Sequence, residues 1–274
     1  MARRSRFHGV SRLDCFVRDG IAEVGRSVSL WRAAWRLLRA LLHILAGLLT
    51  ILLWFPRLSQ AQRDIRVQVW SRELLARLGV RLQVVGTPLA SGPVLLVANH
   101  ISWLDITSLH AARYCRFVSK ADVKRWPLIG ALAAGVGTLF IERASRRDAM
   151  RVVHHMADRL REGDVLAVFP EGTTSDGIEL LPFHPNLLQA AIAAEAPIQP
   201  VALQFFEGHS GQRSLAPCYV GDDTLLASVW RTVRARGITV RVVYGAPQTA
   251  QGRDRRAWAA DLRAAVAQLR QSQS

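Results

Sequence analysis

A histidine and an aspartate stand five residues apart where a buried strand is expected to end. The stretch VLLVANHISWLD (residues 94–105) runs from an apolar segment into Asn99 and His100, and it ends in Asp105. A histidine can take a proton from a hydroxyl near neutral pH when a carboxylate holds its other ring nitrogen protonated. Residues five apart on one helix point about 140° away from each other, so this pair meets most easily across a strand-to-helix turn. The spacing therefore indicates a His–Asp dyad in such a turn.

Asp105 also has a purely structural explanation. If Ser102 caps the helix, Asp105 occupies the third helical position, and the two residues form an S-x-x-D capping box. This explanation does not cover His100, because His100 would lie beyond the carboxyl end of a strand, where open α/β sheets bind ligands. Both explanations stay open for Asp105, and His100 is the stronger sign of chemistry.

Three further stretches follow predicted strands or lead into them. GTLFIER (residues 137–143) ends in Arg143, which could bind a phosphate or a carboxylate. FPEGTTS (residues 169–175) is a turn rich in hydrogen-bond donors, with a glycine that lets the backbone approach a ligand. APIQPVAL (residues 196–203) places prolines around a strand start. Each has an ordinary structural explanation alone, but together they would surround one site with His100.

The elements that must position these residues alternate between two hydrophobic periods. Short apolar or alternating runs predict strands over residues 80–86, 92–98, 137–141, 164–169, 198–203 and 237–245. Helical spacing predicts helices over residues 60–79, with Gly79 as the C-cap, over 145–163 and over 255–270. In the helix over 145–163, the residues expected to face inward are Met150, Val153, Met156 and Leu160. This succession predicts an α/β fold, with a mainly parallel or mixed sheet covered by helices.

Residues 37–55, LLRALLHILAGLLTILLWF, are apolar enough for contact with lipid. Its most apolar part begins at Ala40, ends at Phe55 and contains His43, and it is short of the roughly 20 residues that span a bilayer. Arginines lie on both flanks, so the charge distribution gives no orientation across a membrane. We therefore expect a half-inserted helical hairpin with both ends on the cytoplasmic surface, and a buried core helix is the alternative. The predicted division is a basic flexible arm (1–27), a helical membrane-anchoring unit (28–79) and a catalytic domain (80–274).

The charge balance indicates a polyanionic partner. Lys and Arg number 36 against 21 Asp and Glu, a formal net charge of +15. Nucleic acid, anionic lipid and an acidic carrier protein all fit this charge, so a non-catalytic basic protein that binds nucleic acid or membrane is an alternative of a different class. Trp31, Trp35 and Trp54 lie at the apolar segment, which favours lipid over nucleic acid. The three cysteines, which are far apart in sequence, are expected to be reduced packing residues in the cytoplasm: Cys15, Cys115 and Cys218.

Four stretches resemble, in order and spacing, the four blocks of the glycerolipid acyltransferase family, especially its bacterial lysophosphatidic acid acyltransferases. They are residues 100–105, 137–143, 169–175 and 196–201. The resemblance implies an enzyme of the inner (cytoplasmic) membrane whose active site faces the cytoplasm. It would move a fatty acyl chain from acyl carrier protein or coenzyme A to the free sn-2 hydroxyl of lysophosphatidic acid. His100 would be the general base and Asp105 would orient it. The residues expected at the glycerol and phosphate of the acceptor are Lys120, Arg143, Glu171, Gly172 and Thr173.

No metal and no organic prosthetic group is expected, since a histidine base and a thioester suffice for acylation of an alcohol. The sequence has no G-x-S-x-G elbow for a serine nucleophile, so transfer is expected to be direct. Two positions depart from the family pattern: Thr174 stands where arginine is common, and Phe183-His184-Pro185-Asn186 replaces the usual Phe-Lys-x-Gly. Another lyso-lipid, such as lyso-ornithine lipid, is therefore the alternative acceptor, while the retained Arg143 favours lysophosphatidic acid.

Overall fold

A computed structural model describes residues 27–141 and 146–271, and these residues form one seven-stranded mixed sheet with helices on both faces. The strands are β1 (Val80–Val85), β2 (Val94–Ala98), β3 (Arg116–Lys120), β4 (Leu139–Ile141), β5 (Val165–Val168), β6 (Ile198–Glu207) and β7 (Ile238–Tyr244). Their order is β1-β7-β6-β2-β5-β3-β4, and every neighbouring pair is parallel except β6 and β7. The predicted fold class is confirmed. Strand β3 was not predicted, because its polar ends hide the short apolar centre.

The helices are α1 (Leu30–Leu53), α2 (Gln60–Leu78), α3 (Leu104–Ala112), α4 (Ile129–Gly135), α5 (Arg146–Arg161), α6 (Gln189–Ala193), α7 (Leu225–Arg234) and α8 (Arg255–Gln271). The predicted C-cap of α2 is confirmed, because Gly79 adopts a left-handed conformation with φ of 82°. The expected inward face of α5 was partly wrong. Met150 is exposed, and Val152 is buried in place of Met150, beside the predicted Met156.

Strand β2 lies at the centre of the sheet and buries every one of its side chains. Leu96 and Ala98 point to a core shared with α1, α2, α3 and α7, which we call the first face. Leu95 and Val97 point to a second core, built with α5 and α8. A run of consecutive apolar residues is what a parallel strand covered on both sides requires, so this strand was the most predictable part of the fold.

Helices α1 and α2 form a hairpin on the first face, joined by a short turn at Phe55–Arg57. A seam of small buried residues on α1 (Ala33, Ala40 and Gly47) allows close approach. The Trp70 indole of α2 fills the space beside Gly47, where an added Cβ would lie 2.3 Å from Trp70 Nε1. The same indole N–H donates to the His43 carbonyl at 3.1 Å. The hairpin is therefore a specific contact between two helices.

Helix α1 is attached to the domain near both of its ends. Before its first turn, Val28 N donates to the Arg234 carbonyl at 2.7 Å, and Arg36 donates to the carbonyls of Val233 and Ala235. Near its last turn, Ile51 packs against Gly135 at the end of α4.

The outer side of α1 is exposed and apolar: Trp31, Trp35, Leu38, Leu42, Leu45, Leu49, Leu52, Leu53 and Trp54. The helix is long and apolar enough to cross a membrane, with a mean hydropathy of 1.9, and it is a candidate membrane anchor. Most of it is not buried, so it is not the core helix considered as an alternative. The predicted basic arm, apart from Ser27, and Cys15 lie outside the described residues.

Candidate active site

The predicted site residues follow strands that end at one edge of the sheet. Strands β2, β5, β3 and β4 are adjacent and parallel, so their carboxyl ends meet. His100 comes two residues after β2, the turn at 169–175 follows β5, and Lys120 is the last residue of β3. We call this edge the His100 edge. Arg143 comes two residues after β4 but lies outside the described residues, as does the side chain of Lys120.

The turn between β2 and α3 brings His100 and Asp105 together. His100 Nδ1 lies 2.8 Å from Asp105 Oδ2. Since a carboxylate can only accept, Nδ1 is the donor in this contact, and in the neutral imidazole the lone pair then lies on Nε2. The Asp105 side chain is fully buried, whereas 19% of the His100 side chain is exposed. A substrate can therefore reach the imidazole but not the carboxylate behind it.

The same oxygen of Asp105 also holds the backbone of the turn. Asp105 Oδ2 accepts hydrogen bonds from Ile101 N at 2.6 Å and from Ser102 N at 2.8 Å. Only half of the predicted capping box forms, because the Ser102 hydroxyl accepts from Leu104 N and Trp103 is the N-cap residue. Asp105 therefore serves both of the roles that the sequence left open, since it shapes the helix start and aims the histidine.

Glu171 holds this turn from the other side. Its Oε1 accepts from His100 N at 3.0 Å, and its Oε2 accepts from Leu181 N at 3.3 Å. The side chain is buried, and burial raises the pKa of the Glu171 carboxyl above its usual value, although these two N–H groups pull it down. Together Glu171 and Asp105 bind the backbone N–H groups of residues 100–102. The sequence placed Glu171 at the acceptor, but both of its oxygens are engaged by backbone.

Phe169 supports the imidazole ring from one side. The rings of His100 and Phe169 stack with centroids 4.0 Å apart and planes 6° apart. In the turn that follows, Gly172 has a φ of 73°, and a Cβ there would lie 3.2 Å from His184 Cδ2. Thr173 is exposed at the same turn. Gly172 and Thr173 thus present backbone and a hydroxyl beside the dyad, where an acceptor could bind.

A segment that the sequence did not mark covers the turn between β2 and α3 (residues 99–103), which we call the catalytic turn after the role predicted for His100. We call residues 214–220 the strap. Its Tyr219 N donates to the Ile101 carbonyl at 3.2 Å, and the Tyr219 carbonyl accepts from the Thr174 hydroxyl. Its Pro217 carbonyl accepts from the Ser102 hydroxyl at 2.5 Å. Thr174 therefore binds the strap at the position where the family commonly carries arginine. No periodicity or motif in residues 214–220 predicted this role.

Asn99 fixes the end of β2 to the neighbouring strand β6. Its side-chain amide donates to the Leu203 carbonyl at 3.0 Å and accepts from Leu203 N at 2.8 Å. In the sequence, the position of Asn99 directly before His100 was the only sign of this role.

The stretch 196–201, expected to surround the site, instead enters β6 alongside β2 and is largely buried. That expectation was wrong, because the prolines mark the start of a core strand.

A sequence model of the family described as Acyltransferase matches residues 67–204. The 1-acyl-sn-glycerol-3-phosphate acyltransferase of Neisseria meningitidis serogroup B is 39% identical over 173 residues, which cover 62% of this chain and 67% of that protein. This chain belongs to the acyltransferase family. The acyltransferase is also 38% identical, over 197 residues, to the lyso-ornithine lipid O-acyltransferase of Pseudomonas aeruginosa, with 72% of this chain and 75% of the relative covered.

The fold agrees with this membership. The crystal structure of the 1-acyl-sn-glycerophosphate (LPA) acyltransferase PlsC from Thermotoga maritima superposes with a TM-score of 0.59 at 19% identity, covering 86% of this acyltransferase and 98% of that chain. The resemblance seen in the four sequence blocks is confirmed at the level of the family. The protein is an enzyme that transfers acyl groups, so the alternative of a non-catalytic basic binding protein is wrong.

Proposed function

We propose that this acyltransferase moves a fatty acyl chain from a thioester to the free sn-2 hydroxyl of lysophosphatidic acid, and so forms phosphatidic acid for phospholipid synthesis. His100 is the general base and Asp105 orients it. The observation that carries the proposal is the 2.8 Å contact between His100 Nδ1 and the fully buried Asp105 carboxylate, because it leaves Nε2 as the base on an accessible ring.

The chemistry needs no covalent acyl-enzyme. Nε2 of His100 takes the proton as the acceptor oxygen attacks the thioester carbonyl carbon. A new C–O bond forms, the C–S bond breaks, and the departing sulfur receives the proton from the imidazolium. Asp105 stabilises the imidazolium that exists between the two proton transfers. The thiol is that of acyl carrier protein or of coenzyme A, and both carry negative charge that suits the net charge of +15.

The order of the strands supports the assignment of the acceptor contacts. Neighbouring strands are about 4.8 Å apart, so the end of β3 with Lys120 lies about 10 Å from the end of β2, and the end of β4 lies about 14 Å away. We propose that Lys120 and Arg143 bind the acceptor phosphate while the acceptor hydroxyl meets His100. Gly172 and Thr173 contact the glycerol in between. Glu171 acts through the backbone of the catalytic turn.

Lyso-ornithine lipid is the second candidate acceptor, and a specific observation favours it. At the two positions where the family pattern carries cations, this chain has Thr174, which binds the strap, and His184, which lies over Gly172. Two anion contacts are thereby replaced, and one relative of similar identity is named as a lyso-ornithine lipid enzyme. Lysophosphatidic acid stays the preferred candidate acceptor, because the chain retains Arg143, a side chain suited to binding phosphate.

A direct comparison of the two acceptors tests the proposal. Purified enzyme is supplied with one acyl thioester and with each acceptor in matched detergent micelles. We expect kcat/KM to favour lysophosphatidic acid by about tenfold, since one charge-assisted phosphate contact contributes about 1.4 kcal/mol or more. His100→Ala is the control and should remove both activities. A preference for lyso-ornithine lipid of similar size would overturn the choice of acceptor but not the dyad.

For the membrane, we propose that α1 lies along one leaflet of the cytoplasmic membrane with the active site facing the cytoplasm. A helix of 24 residues is about 36 Å long, and here residues near both ends bind the same domain. A domain cannot occupy both sides of a bilayer, so α1 is anchored without spanning it. This arrangement agrees with the half-inserted hairpin predicted from the sequence.

A further inference from the structure

Two groups of exposed apolar side chains lie at the His100 edge outside α1. The first is the Trp126 segment (residues 124–129), which leads from β3 into α4 and exposes Trp126, Leu128 and Ile129. The second is the Trp230 stripe on α7, where Leu226, 81% exposed, and Trp230 stand four residues apart on one side of the helix. Large apolar side chains grouped in this way indicate a contact surface.

The two groups stand on opposite sides of the catalytic strand. Strand β2, which leads to His100, has β6 and β7 on one side in the sheet and β3 on the other. Helix α7 connects β6 with β7, and the Trp126 segment follows β3. Helix α7 reaches the catalytic turn, because its Ser228 accepts a hydrogen bond from Trp103 Nε1 at 3.1 Å. The opening to His100 is therefore flanked by a tryptophan-bearing segment on each side.

Both groups also belong to elements that contact α1. The end of α7 binds the start of α1 through the Arg234 carbonyl and Val28 N. Helix α4, which begins in the Trp126 segment, packs beside the last part of α1, where Gly135 meets Ile51. Helix α1 therefore contacts both α7 and α4, the two helices next to these groups.

The charges beside these side chains fit an anionic lipid surface. Lys124 and Arg125 are exposed next to Trp126. On α7, the Arg234 guanidinium lies 5.8 Å from the centre of the Trp230 ring. Tryptophan next to a cation is typical of the boundary between lipid chains and headgroups. Basic residues near that boundary are attracted to anionic headgroups.

We propose that the Trp126 segment and the Trp230 stripe are two further contacts with the surface of an anionic bilayer, and that the lyso-lipid acceptor enters between them, sideways from the same leaflet. The proposal deepens the proposed function and rests on it for the identity of the acceptor as a lyso-lipid. The acyl chain of the acceptor then stays in the lipid while its hydroxyl reaches His100. Apolar residues at such a surface insert to the level of the headgroup and acyl boundary.

Insertion depth tests the contacts without reference to activity. A Cys15→Ser background is spin-labelled at Trp126→Cys, at Leu226→Cys or at Met150→Cys, and bound to vesicles of phosphatidylcholine and phosphatidylglycerol. Met150 is the matched control, because it is 62% exposed on α5, on the other face of the sheet. We expect oxygen-accessible labels at 126 and 226, and a label in water at 150. Labels at 126 and 226 that stay in water, like the control, would overturn the proposal.

Kinetics test the route of the acceptor. The variants Trp126→Ser/Ile129→Ser and Leu226→Ser/Trp230→Ser are compared with Met150→Ser. For the preferred lyso-lipid embedded in vesicles, we expect the apparent KM of each double variant to rise by about tenfold, the effect of about 1.4 kcal/mol of lost apolar contact. Turnover of a short-chain lyso-lipid dissolved as monomers should stay near the wild-type rate. An equal loss with both acceptors, or no loss with either, would contradict lateral entry.

The two tests separate this proposal from the proposed function. If the wild-type enzyme acylates neither lyso-lipid, the proposed function fails, and the depth of the labels still decides whether the two segments touch the bilayer. If the wild-type enzyme is active and the labels stay in water, the proposed function stands and the surface contacts are wrong.

Discussion

At the scale of single residues, the site depends on two buried carboxylates that bind the same turn from opposite sides. Asp105 accepts from His100 Nδ1 and from the N–H groups of Ile101 and Ser102, and Glu171 accepts from His100 N. Hydrogen bonds to a carboxylate are stronger than those between neutral groups, so they fix the position of the imidazole before a substrate arrives. His100 is therefore positioned by its backbone as well as by its side chain.

Glu171→Gln should reduce kcat by about tenfold or more while changing the acceptor KM little, because one of the two backbone N–H groups would face an amide NH2 and lose its partner, at a cost of about 1–3 kcal/mol. Steady-state kinetics with varied acceptor measure this split. Thr173→Ala is the matched comparison at the same turn and should mainly raise KM. If Glu171→Gln raised KM alone, Glu171 would contact the acceptor directly.

Only part of this site could be predicted from the sequence. The His–Asp pair was predictable, because its spacing and the preceding apolar run require a strand-to-helix turn. The hydrogen bonds of Glu171 and of the strap were not predictable, because these bonds join residues far apart in sequence, such as Ile101 and Tyr219. A local bond such as that from Ser102 N to Asp105 follows from residue types a few positions apart, but a bond between distant segments leaves no such pattern.

At the scale of elements, the α1–α2 hairpin depends on close approach at Gly47. Gly47→Val should destabilise the protein by about 1–3 kcal/mol, because the new side chain would overlap the Trp70 indole and force the helices apart. Ala46→Val is the control on the exposed side of the same helix. Thermal unfolding in detergent should show a lower midpoint for the first variant only. Equal midpoints would mean that the hairpin is loosely packed.

Helix α3 carries a buried histidine that makes stability depend on pH. Burial lowers the pKa of His110 to about 4, although its hydrogen bond to the Cys115 carbonyl opposes this shift. As pH falls, the His110 imidazole therefore binds a proton near pH 6.5 in the unfolded chain but only near pH 4 in the folded protein. The stability that the neutral His110 contributes is fully present above about pH 6.5 and is lost as pH falls toward about 4.

His110→Gln should remove this dependence. The wild-type free energy of unfolding should fall by up to about 1.4 kcal/mol per pH unit through this group, and the variant should lack that slope. Denaturant unfolding at several pH values between about 4 and 7 measures it, with the exposed His154→Gln as the control. Parallel profiles for wild type and His110→Gln would show that the histidine is protonated in the folded protein.

At the scale of the whole molecule, we expect both ends of α1 to lie on the same side of the membrane. Cysteines introduced at Ser29 and Arg57, in a Cys15→Ser background, flank the helix and are exposed. When the protein is added to sealed vesicles, a membrane-impermeant maleimide should modify both equally, because both positions would lie on the outer side. Cys115 and Cys218 are buried, so they should add little background. Protection of one position until the vesicles are lysed would mean that α1 spans the bilayer.

The arrangement of the whole chain was only partly readable from sequence. Alternating strand and helix patterns predicted the mixed α/β sheet, since buried parallel strands need continuous apolar runs. The antiparallel β7 and the strap could not be predicted, because strand order and loop paths depend on contacts between distant residues. The apolar segment predicted a membrane contact, but the hydrogen bonds of Val28 and Arg36 and the packing of Ile51, which the sequence did not predict, indicate that the helix lies along the domain.

The central claim is that His100 is the base. Its most direct test is the single-turnover rate of acyl transfer by purified His100→Ala, with thermal unfolding to confirm that the variant is folded. A general base contributes about 10²–10⁴-fold to a rate, so we expect a loss in that range or greater with an unchanged acceptor KM. A folded His100→Ala enzyme that transfers acyl groups at close to the wild-type rate would contradict it.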